Sequence, residues 1–204
     1  MILAAARATL AAVVLLAGST PPPGTGAVCV CATARSTNAW CPVHDVGYVG
    51  GLKLTSSWLH EALDAHGHDV VLSSFNCPAC RRAIDGDGYC DEHKVGFVHG
   101  RAYFSKLTWR LGKAEVREPA DIACAICRKN SDTHGWCDRD RIGMVGPFAI
   151  RDRGAYDEEV HALGIVALAD HEAKRCQYCA VAMVTDTQCP LCRITYKDGK
   201  RIGG

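Results

Sequence analysis

The sequence predicts small α+β modules, four of them in tandem, stabilised by bound metal and joined by short helix–strand linkers. Three observations predict it. Cysteine is abundant, 13 in 204 residues, and falls in four groups. Each group splits into two half-sites separated by a constant nine residues. The flanks repeat with the cysteines, and the second cysteines are 49, 47 and 52 residues apart. Self-similarity at such a period marks repeated supersecondary units.

Unit 1 reads Cys29-Val-Cys31, then Cys41-Pro-Val-His44. Unit 2 reads Cys77-Pro-Ala-Cys80, then Cys90-Asp-Glu-His93. Unit 3 reads Cys124-Ala-Ile-Cys127, then Cys137-Asp-Arg-Asp140. Unit 4 reads Cys176-Gln-Tyr-Cys179, then Cys189-Pro-Leu-Cys192. Two cysteines three positions apart can place both sulfurs on one ion from a tight turn. A second such pair completes a tetrahedron, with Zn–S about 2.3 Å. The nine intervening residues suit a small hairpin or loop that folds one pair over the other.

The rival chemistry is a disulfide framework, and the count decides against it. Units 1 to 3 hold three cysteines each, so pairing would strand one thiol per unit. As metal sites they have a fourth ligand in register: His44, His93 and Asp140. Up to four Zn2+ ions, or other soft metals, are therefore expected. The sites are unequal. Unit 1 has Val28 where register puts a first ligand, which distorts that pair. Unit 3 relies on a carboxylate, a harder donor than a thiolate, with His134 as a substitute ligand or an exposed loop residue. No general-base constellation stands near it, so a non-catalytic reading is preferred.

The flanks follow the same period. An aromatic precedes the third cysteine in three units: Trp40, Tyr89 and Trp136. After the fourth ligand come Val46-Gly47-Tyr48-Val49, Val95-Gly96-Phe97-Val98 and Ile142-Gly143-Met144-Val145. In the linkers, Ser56–His66 reads as a helix with Trp58, Leu59, Ala62 and Leu63 on one face and Gly67 as its stop. Asp69–Ser74 reads as a short strand. Gly154–Leu163 reads as a second helix, ended by Gly164, with Ile165–Leu168 as the matching apolar run. Ala102–Leu111 fits a strand or a helix. His66-Gly67-His68 is a loose metal-binding pair or a solvated loop.

These readings divide the chain into an N-terminal segment over 1–27, unit 1 with a helical linker over 28–75, unit 2 over 76–122, unit 3 with a helical linker over 123–174, and unit 4 over 175–204. The N-terminal segment carries Arg7, an apolar run from Ala8 to Ala17, then Pro21, Pro22 and Pro23. That is the pattern of a secretory signal peptide, or of an uncleaved anchor. Export to a periplasmic or extracellular space is the expectation. A membrane-anchored or cytoplasmic location is the alternative, since exported cysteines are usually oxidised.

Charge narrows the partners. Lys and Arg number 23 against 22 Asp and Glu, a formal net charge of +1. Thirteen thiolates and four divalent ions lower that by 5, to about −4. Nucleic-acid binding needs a basic face, so the balance points against it. A protein partner or a metal-transport system remains, with membrane contact only through the N-terminal segment. No phosphate-binding loop, dinucleotide fingerprint or nucleophile elbow occurs.

The paired half-sites over 29–44, 77–93, 124–140 and 176–192 resemble zinc-ribbon or rubredoxin-like modules. The resemblance implies four zinc-ribbon-like units in which no helix carries the second ligand pair. Separately, Cys41-Pro-Val-His44 resembles the CPxH core of bacterial heavy-metal-binding domains found near metal efflux systems, which implies metal handling. Three functions compete: a rod of zinc modules presenting its linkers to a protein partner, an exported protein that buffers or delivers metal, and a thiol redox protein.

Overall fold

The computed structural model describes residues 28–69 and 71–204. The segment read as a signal peptide or anchor lies outside the described residues. Among those described, no helix is long and apolar enough to cross a membrane.

Each unit opens with a helix. The segments are α1 (Cys31–Thr37), α3 (Pro78–Asp85), α5 (Ala125–Thr133) and α7 (Gln177–Thr185). They occupy the interval between half-sites, so the expected hairpin or loop is corrected there. The reason lies in composition: Ala, Arg, Lys and Met fill much of these stretches, and such residues lose little freedom in a helix. In units 2 to 4 the first cysteine is the N-cap residue: Cys77, Cys124 and Cys176.

Behind each of the first three helices comes a three-stranded antiparallel meander. Unit 1 has β1 (Trp40–Cys41), β2 (Val46–Val49) and β3 (Leu52–Leu54). Before the second meander come β4 (His68–Asp69) and a 3-10 turn at Leu72–Ser74. Unit 2 then has β5 (Tyr89–Cys90), β6 (Val95–Val98) and β7 (Arg101–Tyr103). Next is β8 (Glu115–Val116), and unit 3 has β9 (Gly135–Cys137), β10 (Ile142–Val145) and β11 (Phe148–Ile150). Unit 4 ends in the hairpin β12 (Thr195–Lys197) and β13 (Lys200–Gly203), with a single bridge from Gln188 to Thr195. Strands β4 and β8 join the sheets that follow them. β4 pairs with β7 and β8 with β11, both antiparallel, giving four-stranded orders β4-β7-β6-β5 and β8-β11-β10-β9.

A linker helix follows each meander: α2 (Ser57–Leu63), α4 (Lys106–Lys113) and α6 (Arg153–Ala173). Each starts two residues after the third strand, on a side-chain cap. Ser56, Ser105 and Asp152 accept from the backbone N–H three residues on, at 3.1, 3.1 and 2.7 Å. Such caps each contribute about 1 kcal/mol.

Several linker expectations are corrected. α2 ends at Leu63, because Asp64 turns left-handed with φ 50°, rather than at Gly67. The strand over Asp69–Ser74 shrinks to His68–Asp69. α6 does not stop at Gly164 but continues through Ile165–Leu168 to Ala173. A helical glycine costs about 1 kcal/mol, and burial of Leu163, Val166 and Ala169 on either side offsets it. The stretch Ala102–Leu111 holds both elements, the end of β7 and most of α4.

Each linker helix buries one face in a common core, while Trp58 of α2 and Leu168 of α6 stay exposed. The main apolar cluster joins Leu59 and Leu63 of α2, Leu107 and Leu111 of α4, Tyr156, Leu163 and Val166 of α6, and Ala180 and Met183 of α7. Leu63 and Met183 of this set keep a small exposure; Leu59, Leu111 and Ala180 are sealed. Residues from all four units thus take part in one apolar cluster. The three smaller apolar clusters each contain cysteines: Cys41 with Ala34 and Val46, Cys80 and Cys90 with Phe97, and Cys124, Cys127 and Cys137 with Met144.

Candidate metal centres

The structure brings together every predicted ligand. Four groups form: Cys29, Cys31, Cys41 and His44; Cys77, Cys80, Cys90 and His93; Cys124, Cys127, Cys137 and Asp140; Cys176, Cys179, Cys189 and Cys192. Within each, the ligand atoms lie within 4.8 Å of one another. The first half-site sits on the first turn of the leading helix. The second occupies the tight turn between the first two strands, or its counterpart before β12.

The spacings suit a tetrahedral ion. Bonds of about 2.3 Å to sulfur and 2.0–2.1 Å to nitrogen give tetrahedral edges of roughly 3.8 Å for S···S and 3.5 Å for S···N. Observed S···S separations are 3.8 Å for Cys124–Cys137, 3.9 Å for Cys176–Cys189 and 3.7 Å for Cys192–Cys176. His93 Nδ1 lies 3.5 Å from Cys80 Sγ and 3.6 Å from Cys90 Sγ. A disulfide needs sulfurs about 2.05 Å apart, and all 13 cysteines are unpaired.

Unit 1 absorbs its missing residue by starting the helix late. Cys31 is the first residue of α1, whereas Cys80 is the third of α3. Cys29 thus stays in irregular chain before the helix. Its sulfur reaches His44 Nδ1 at 3.4 Å, beside Cys31 at 3.1 Å and Cys41 at 3.7 Å. In unit 3, Asp140 turns Oδ2 toward Cys127 Sγ at 3.3 Å. Arg139 Nε donates to the other oxygen, Oδ1, at 3.1 Å. That donor leads the interactions that hold the Asp140 carboxyl down at about 2.

The turn also charges the third cysteine. The backbone N–H of the fourth-ligand residue points at its sulfur in every unit, seen at 3.3 Å from Cys192 N to Cys189 Sγ. Burial opposes ionisation of Cys41, but the His44 and Val30 N–H groups outweigh it and bring the thiol to about 6. The His93 N–H leads in bringing Cys90 to about 7. Cys189 is buried yet also falls to about 7 through the Cys192 N–H, and the Asp140 N–H lowers Cys137. The second cysteines move the other way. Burial and neighbouring thiols push Cys80 up to about 12 and raise Cys127 and Cys179 as well. Each cluster thus sets a third cysteine whose thiol is lowered beside a second cysteine whose thiol is raised. A cation displaces those protons and lets the set act together.

Sequence reasoning missed two supports. The first is a left-handed residue after each leading helix: Asn38, Asp87, His134 and Asp186, with φ of 54, 49, 58 and 54°. Each side chain accepts from the backbone N–H 12 residues on, at Gly50, His99, Gly146 and Asp198, over 2.6–3.0 Å. His134 is therefore a half-buried turn clamp, neither a ligand nor an exposed loop residue. The second is a ring packed on a glycine. The aromatic before the third cysteine lies across the ladder from the glycine that recurs in units 1 to 3: Trp40 from Gly47, Tyr89 from Gly96 and Trp136 from Gly143. A ring from the linker helix covers that glycine, His60, Trp109 and Tyr156 respectively. The paired rings lie 5.5, 5.3 and 5.5 Å apart. A Cβ at any of the three glycines would collide with its ring.

The site and fold define a class: a cysteine-rich α/β protein with four clusters able to hold metal ions, consistent with tandem metal-binding modules. No protein-family model matches the chain, and neither a curated protein nor a solved structure does.

Proposed function

We propose that the chain is a non-catalytic zinc-binding protein whose four sites are structural and whose surface serves a protein partner. The observation that carries this reading is the closure of all four clusters by four protein ligands at tetrahedral spacing. Structural sites are closed in this way, whereas catalytic zinc keeps an open position. The small cysteine-containing cores of units 1 to 3 support it, because few apolar side chains surround those sites to order them without an ion. The zinc-ribbon resemblance is kept for the ligand pairs. The helix under the first pair departs from a hairpin-built ribbon.

A second reading, metal buffering or delivery, is favoured by one feature. The fourth ligand is exposed in every cluster: His44, His93, Asp140 and Cys192. An acceptor can reach the ion from that side. Metal content and free-thiol count on protein purified without added metal separate the readings. Four zinc ions and 13 free thiols, with slow exchange against a chelator, support structural sites. Fast release from all four with the fold retained supports delivery. Few metals with paired cysteines sink both.

A further inference from the structure

The histidines between units 1 and 2 belong to none of the cysteine clusters. Asp64 caps the end of α2, and the chain runs through His66 and Gly67 into β4, which starts at His68. The Asp64 carboxylate faces inward. The residue is 8% exposed, and Oδ2 is buried with no hydrogen bond of proper geometry. Two imidazoles address it. His66 Nε2 is 3.3 Å from Oδ1, and His68 Nε2 touches Oδ2. Both rings are about half exposed, with centroids 5.8 Å apart, and Phe104 backs the His68 ring at 5.6 Å.

The nearby cation does not serve this carboxylate. Arg101 Nη2 donates to the Gly67 carbonyl at 2.8 Å, and Nη1 lies 3.5 Å from Asp69. A buried carboxylate without a cationic partner is costly. A neutral imidazole offers the carboxylate a hydrogen bond but no charge. A divalent ion would supply it. Two imidazoles and a carboxylate form a common donor set for zinc and its neighbours in the series. On a tetrahedral ion, two such rings have centroids roughly 5 Å apart. The three donors do not converge as closely as those of the cysteine clusters, so both solvent-exposed rings would turn to share an ion.

We propose that Asp64, His66 and His68 form a fifth, thiolate-free site for a divalent cation of borderline hardness. Water completes its coordination, and the ion ties the end of α2 to the start of β4. The site differs in chemistry from the four clusters and stands independently of how they are occupied.

The test uses the full chain as purified, after its metal content is measured. Zn2+ is titrated in by calorimetry at pH 7.5, and histidine ring nitrogens are followed by long-range 15N correlation. One additional ion should bind, with the nitrogen signals of His66 and His68 shifting. His66→Ala and His68→Ala should each weaken that step about tenfold or more and leave the initial metal content unchanged. Both lie at exposed positions, so folding is preserved even if Asp64→Asn fails to fold. Absence of a further binding step, or a step that survives the double variant, overturns the proposal. So does a spectrum in which both rings respond to pH but not to zinc.

Discussion

Arg139 holds one oxygen of Asp140 and leaves the other facing the sulfurs. The guanidinium donates to Oδ1 at 3.1 Å, and Oδ2 lies 3.3 Å from Cys127 Sγ. The single carboxylate ligand among the four clusters is thus oriented by its own neighbour in sequence. Ligand-orienting contacts of this kind typically carry 10–100-fold in metal affinity.

Unit 3 should accordingly lose its ion first. Asp140→Ala should release one metal equivalent to a chelator while the other three stay bound. Arg139→Ala should weaken the same site by about tenfold. Asp140→His, which restores the ligand type of unit 2, should retain the ion. Native mass spectrometry during chelator titration reads all three. Equal retention of four ions in Asp140→Ala would count against a ligand role.

His134→Ala should behave differently. Its Nδ1 accepts from the Gly146 N–H at 3.0 Å and faces no metal cluster. Losing this bond should cost about 1 kcal/mol in denaturant unfolding, with metal content unchanged. Asp87→Ala and Asp186→Ala should cost similar amounts, since they clamp the same turn in their own units. Loss of an ion from His134→Ala would restore it as a ligand.

Gly143→Ala should destabilise unit 3 by about 1–3 kcal/mol, because the added methyl meets the Tyr156 ring. Gly146→Ala should be worse placed still. Its φ is +56°, and the new Cβ would lie 2.7 Å from the Gly51 Cα. Thermal unfolding of both variants against wild type checks the order. An unchanged Tm for Gly143→Ala would mean the ring stands off the strand.

Stability should fall as pH rises through the range set by Glu159. This side chain is 0% exposed, with neither oxygen hydrogen-bonded and Arg110 Nη1 at 3.6 Å. Burial pushes its carboxyl up to about 8, only partly opposed by Arg110. The folded state therefore holds a proton that the unfolded chain releases near 4.5. Between those values folding binds the proton, so stability declines with increasing pH and levels off above about 8. Glu159→Gln should remove that decline and be the more stable form at pH 8, by an amount on the order of a few kcal/mol. The two proteins should converge toward pH 4. Parallel curves across the range would show that the carboxyl is not buried.

The four clusters were legible because thiolate chemistry fixes residue type as well as spacing. A cysteine or histidine in register admits few other readings. The helix between half-sites was not legible, since nine residues accommodate either a hairpin or two helical turns. Only the packing of Ala34, Ala83 and Cys127 against the strands decides. The turn clamp escaped notice for a different reason. Asn38, Asp87, His134 and Asp186 share a positive φ and a side-chain acceptor, but three different residue types fill the position. Gly164 misled because propensity is local, whereas α6 is held by burial along its length. The shared core could not be foreseen from apolar stripes that fit an isolated module equally well.

The pairing of β4 with β7, and of β8 with β11, puts sequence motif and folded unit out of phase. His68 and Glu115 each stand nine residues ahead of the first cysteine they serve. A duplication that copied only the stretch from first to fourth ligand would have delivered a cluster with an open sheet edge. In units 2 and 3 the segment that carries a complete sheet is longer and begins on the preceding strand. Excision of one repeat at its cysteine borders would leave its neighbour short of hydrogen-bond partners, whereas cuts just ahead of His68 and Glu115 would remove a whole sheet with its cluster.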